Sequence, residues 1–160
     1  MAKKPFTMVV TGTSDVNKMM KSYTNRIKDF RPIWDVVNLD IIRIILSHFS
    51  NQEGPDGPWK DFAARISGEY QIRKVYRGSG ALLTSSSKLL LDTGLLRNSI
   101  QVLRSLTKEL AVGTNILYGG THQFGNSSRN IPARPFVWLA PGDEDRIIKT
   151  IFNWVDHGGR

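Results

Sequence analysis

The chain has 160 residues, 40% of them apolar and 22% charged, which suits one globular domain able to bury a core without staples. It contains no cysteine, which excludes a disulfide scaffold, a cysteine-rich zinc site and a thiol nucleophile. Lys and Arg number 22 against 14 Asp and Glu, and the resulting +8 draws phosphate backbones and acidic surfaces without choosing between them.

The opening "MAKKPFTMVVTGTSD" lacks the apolar run and cleavage site of a signal peptide. No stretch nears the ~18 apolar residues that a membrane span needs. "FTMVV" at 6–10 is β-prone and reads as a short strand. Thr13 or Ser14 then caps a helix with Asp15 in its first turn. Val16, Met19, Met20, Tyr23, Ile27 and Phe30 recur at helical spacing, and Pro32 ends or kinks the run. From Ile33 to Asn51 a second helix carries a wide apolar arc through Trp34, Val37, Ile41, Ile45 and Phe49. An arc that wide belongs to a central core helix or to a subunit contact. His48 sits at its margin, where a lone histidine serves structure.

"QEGPDGPW" makes a tight turn, and Trp59, Phe62, Ala63, Ile66 and Tyr70 resume helical spacing. Residues 78–88, "GSGALLTSSSK", read as a first mobile Gly-rich loop. "SIQVLRSLTKELAVGTN" reads as two antiparallel strands around a polar turn near Ser105–Lys108. Residues 113–131 read as a second long Gly-rich loop, and "FVWLA" at 136–140 as a strand. Pro141-Gly142, the acidic run Asp143, Glu144 and Asp145, and the apolar face of Ile147, Ile148, Ile151, Phe152 and Val155 mark a last helix stopped by Gly158. There is no internal repeat and no linker, so 1–160 is one domain. The expected class is α+β: N-terminal helices packed on a small antiparallel sheet, a C-terminal helix and two long Gly-rich loops.

"LLLDTGLLRNSI" at 89–100 contains the Asp-Thr-Gly of an aspartic protease half-site. Such proteases are almost wholly β and need paired carboxylates, whereas helices dominate the chain before this motif. The bland alternative is a structural turn: Asp92 or Thr93 caps backbone N–H groups, and Gly94 takes a conformation other residues avoid. His48, His122 and His157 are too scattered for a metal motif, and no phosphate-cradling loop or serine elbow is present. No catalytic residue, cofactor or metal is assigned.

Three stretches in order carry a resemblance: "LLLDTGLLRNSI", "LAVGTNILYGGTHQFG" at 110–125 and "IPARPFVWLAPGDED" at 131–145. Together they resemble the virion morphogenesis, or tail-completion, family of tailed bacteriophages, over roughly 55–145. Gly119 departs from the family pattern, which usually has alanine there. The resemblance implies a non-enzymatic structural protein of the virion head–tail junction, completing or capping the tail or forming part of the neck. It also implies assembly in the host cytoplasm, other neck and tail proteins as partners and no cofactor. A homo-oligomeric ring around the DNA path fits that role, six-fold by analogy with tails. His122, Gln123, Phe124, Arg129, Arg134 and Phe136 are the subunit-interface candidates. Arg73, Lys74, Arg77 and Lys88 are the candidates for nonspecific contact with packaged DNA. The alternative reading is an accessory protein that binds nucleic acid without sequence preference.

Overall fold

The computed structural model describes residues 13–62, 80, 82–84 and 87–158. The expected strand at 6–10, most of the helix expected after Trp59, and Arg73, Lys74 and Arg77 lie outside them. The architecture is α+β, with helices around small two-stranded antiparallel sheets.

Helix α1, Thr13–Lys28, leads into α2, Arg31–Asn51. Pro32 starts α2, because a helix's first turn has N–H groups with no partner to lose. Ile33, Val37, Ile44, Ile45, His48 and Phe49 form the buried stripe of α2, so its apolar arc is core. Gln52 stops the helix in a left-handed conformation, with φ 61°. The expected Pro/Gly turn is a minimal hairpin, β1 Glu53–Gly54 against β2 Gly57–Pro58. Trp59 follows it into the core without starting a helix over residues 59–62.

A short helix α3, Leu95–Asn98, precedes the main hairpin of β3, Gln101–Leu106, and β4, Glu109–Gly113. A bulge between Val102 and Arg104 shifts the register. The hairpin turn docks on the joint between α1 and α2. Phe30 N–H donates to Thr107 O at 2.7 Å, and Trp34 Nε1 to Leu106 O at 2.7 Å. Helix α4, Leu117–Phe124, and a 3-10 turn at Ser127–Arg129 occupy the stretch expected to be a second open loop. The last helix, α5 Pro141–His157, packs on α2 and α1. Tyr23 Oη–H donates to Asp156, and Arg26 donates to the Trp154 and Val155 carbonyls at the end of α5.

Ile45, Phe49, Trp59, Leu89, Leu96, Ile100 and Phe136 make one core cluster. Phe49 stands at its centre, edge-on to Trp59 at 5.9 Å and tilted against Phe136 at 5.2 Å. Phe49→Ala should therefore cost about 3–5 kcal/mol through lost contacts and a cavity. Val36→Ala, on the exposed side of the same helix, should stay within about 0.5 kcal/mol. Denaturant midpoints of the two variants test this, and equal midpoints would place the core elsewhere.

Candidate functional site

"FVWLA" forms no strand among the described residues. Its backbone, with the residues before it, is met mainly by side chains. Arg134 N–H donates to His122 O at 2.7 Å. Trp59 Nε1 donates to Pro135 O at 2.9 Å. His48 Nδ1 bonds Phe136 O at 2.9 Å, which sets the tautomer with the proton on Nδ1. The Gln123 amide does the rest: its Oε1 accepts from Phe136 N and Val137 N, and its Nε2 donates to Val137 O, all at 3.0 Å. A strand partner would supply the same donors and acceptors. Here α2, α4 and the segment after β2 share that task.

Arg134 is buried, its Nε donating to Lys60 O at 2.9 Å and its Nη2 to Asp61 O at 3.3 Å. Burial lowers its pKa and the Asp61 charge opposes that. Phe136 is 1% exposed. Gln123, Arg134 and Phe136, expected as interface residues, are thus engaged inside the protomer, because each meets a core or backbone partner of its own chain. Phe124 is different, and so is Arg129. Phe124 is 81% exposed, and Arg129 is exposed with no ion pair to any described residue. Lys88, the one DNA-contact candidate within the described residues, is exposed.

The motifs converge on the inner side of α4. A Cβ added to Gly119 would lie 2.7 Å from Thr114 Cγ2, 3.4 Å from Leu96 Cδ1 and 3.9 Å from Phe136 Cζ. Each of those residues comes from a different motif stretch. The Thr114 methyl fills the space an alanine methyl would take, so an alanine at 119 requires Thr114 to shift. Thr114 Oγ1 also pairs with Ser99 Oγ at 2.6 Å and accepts from Ile116 N at 3.1 Å. Gly94 has φ 73° and starts α3, where Thr93 Oγ1 accepts from Leu95 N at 3.3 Å. Asp-Thr-Gly is thus the turn that delivers Leu96 to the core. At the other end of α4, Gly125 has φ 76°, and a Cβ there would sit 2.8 Å from Ala133 N. Only glycine fits.

The outer side of α4 carries Leu117, 99% exposed, with Tyr118 and Phe124. Three large apolar side chains therefore stand in water on a helix locked from behind. Leu117 and Tyr118 escaped sequence reasoning, because eight residues containing Gly119 and Gly120 show no helical period. The "ILY" before the glycines was the only signal. His122 lies between the two sides, half-buried, with Tyr118 edge-on at 5.9 Å. Its Nδ1 is buried without a hydrogen-bond partner among the described residues. Burial, and after it the Arg134 charge, holds its pKa below the usual histidine value.

The model of the phage virion morphogenesis family matches residues 12–156. The chain belongs to the phage virion morphogenesis family. This family member is also similar to the uncharacterized protein MJ0331 of Methanocaldococcus jannaschii, 34% identical over 74 residues, 45% of this chain and 51% of the archaeal one. It therefore spans about half the length of that curated relative. No solved structure matches it. Among the described residues no group of His, Cys, Asp and Glu could hold a metal ion, and no helix is long and apolar enough to cross a membrane.

Gln123→Leu keeps the size but strands two N–H groups and a carbonyl, so it should cost about 2–4 kcal/mol in an unfolding experiment. A loss below 0.5 kcal/mol, roughly the size of a surface effect, would refute the clamp. His122 binds a proton less readily folded than unfolded. Its stabilising contribution is therefore complete above the unfolded histidine pKa of ~6.5 and falls as pH drops below it. His122→Gln should flatten the decline in melting temperature between about pH 7.5 and 5.5. A slope equal to the parent's would remove His122 from the titration.

Proposed function

We propose that this family member is a non-enzymatic assembly protein of the phage head–tail junction, acting as tail-completion, tail-terminator or neck component in a ring of identical subunits around the DNA path. The observation that carries this reading is the outer side of α4. Apolar side chains as exposed as Leu117 and Phe124, on a backbone fixed from within, mark a surface that another protein covers. Head-to-tail contact between copies closes a ring when the rotation per subunit divides a full turn. Six copies would match the common symmetry of tails.

The fixed backbone behind α4 favours binding with little ordering cost. Arg129 lies on the 3-10 turn beside this face, where a guanidinium can meet a neighbour's carboxylate. The +8 charge has a use along the DNA path, with Lys88 placed in solvent to meet phosphates. Nothing in this role requires a bond to be broken.

Complementation of a phage lacking the gene tests the assignment. Phe124→Ala and Leu117→Ser should fold with near-parental melting temperatures yet be depleted from purified particles, each truncation weakening the contact by about 2 kcal/mol or more. Arg134→Ala should instead unfold at lower temperature, since it removes the partner of the Lys60 and Asp61 carbonyls. Normal particle content for both α4 variants would reject α4 as the assembly surface.

A further inference from the structure

A second uncovered surface lies away from α4, on α1 and α5. Within one protomer the two helices touch where Tyr23 and Arg26 reach residues 154–156. Val16, Met19 and Met20, toward the other end of α1, remain more than half exposed. Ile27 continues their stripe, and Lys21 and Lys28 run beside it. On α5, Ile148 and Phe152 are exposed one turn apart, Phe152 at 68%. Glu144 stands one turn before Ile148 on the same stripe, with Asp145 next to it.

Lys21 and Lys28 on α1 and Glu144 and Asp145 on α5 are opposite in charge, and these four are unspent. Glu144 and Asp145 form no ion pair with any described residue, and neither do Lys21 and Lys28. Each helix thus carries an apolar stripe with unpaired charge beside it, basic at Lys21 and Lys28 on α1 and acidic at Glu144 and Asp145 on α5, while Lys149 adds one positive charge beside Ile148.

We propose that α1 of one copy packs against α5 of the next copy, with Val16, Met20 and Ile27 meeting Ile148 and Phe152, and Lys21 and Lys28 facing Glu144 and Asp145. The occupant is a second copy of this chain, because both complementary halves stand on every protomer. The contact is head-to-tail, since the two surfaces differ. It deepens the ring reading and rests on it, supplying the subunit-to-subunit seam and leaving α4 free for a different neighbour. Apolar burial would supply the affinity, and the charges would set partner and register.

Sedimentation of the purified full chain across a concentration series tests the seam independently of particle assembly. Glu144→Lys with Asp145→Lys should weaken self-association at least roughly tenfold, and Lys21→Glu with Lys28→Glu likewise, because like charges would face each other. All four substitutions together should restore it. Parental melting temperatures confirm that the surface changes leave the fold intact. Glu144→Gln with Asp145→Asn provides a milder pair should the lysines disturb the helix start, and it should weaken association less. Three results would overturn the proposal: a parent that stays monomeric throughout, a fourfold variant no better than the twofold ones, or reversals that leave self-association unchanged. Particle content of the same variants separates the two readings. Charge-dependent self-association without virion incorporation would sink the junction role and spare the seam.

Discussion

The backbone of Arg134–Val137 enters the core without a strand beside it among the described residues, and the rest of the site depends on how its polar groups are met. Buried peptide groups left without partners would each cost about 1–3 kcal/mol. The solution distributes the work: Trp59 takes the Pro135 carbonyl, His48 the Phe136 carbonyl, and Gln123 both amides and the Val137 carbonyl. With those bonds made, Phe136 can enter the core against Phe49. Gln52 repeats the device nearby, its amide accepting from Leu89 N and donating to Leu89 O. Two glutamines therefore bring two core residues, Phe136 and Leu89, inside on segments that form no sheet.

This arrangement explains why motifs so far apart in sequence belong together. Leu96, Thr114, Gly119 and Phe136 meet around one point on the inner side of α4. A change in any of them is felt by the helix that presents Leu117, Tyr118 and Phe124 to solvent. The proposed contact and the packing that stabilises the fold thus fall on opposite sides of the same eight residues. The inner side is glycine and amide, closely packed and hydrogen-bonded. The outer side is apolar and uncovered, which a lone protomer does not need for stability.

Long periodic elements were legible in the sequence. The faces of α1, α2 and α5, the acidic start of α5 and the hairpin at 101–113 follow from spacing and turn chemistry alone. The convergence of motifs was legible only as an order along the chain. Side-chain replacement of a strand partner was not legible. "FVWLA" has the composition of a strand, and nothing local reveals that Gln123 and His48 serve it. For the same reason Gln123, polar and placed among glycines, and Arg134, polar and set between prolines, read as groups reaching outward although they point in. Leu117 and Tyr118 were missed because a helix of eight residues is too short to display its period.

Hydrogen exchange of residues 117–137, compared between the free protein and purified particles, tests most directly whether the proposed assembly face is built before assembly. A face fixed by the Gln123 and Arg134 bonds should show the Phe136 and Val137 amides exchanging as slowly as those of α2 in the free protein, with only the outer edge of α4 slowing further in particles. Amides at 136 and 137 that exchange at open-loop rates in the free protein, and become protected only in particles, would mean that the face forms on contact and that the side-chain clamp does not build it.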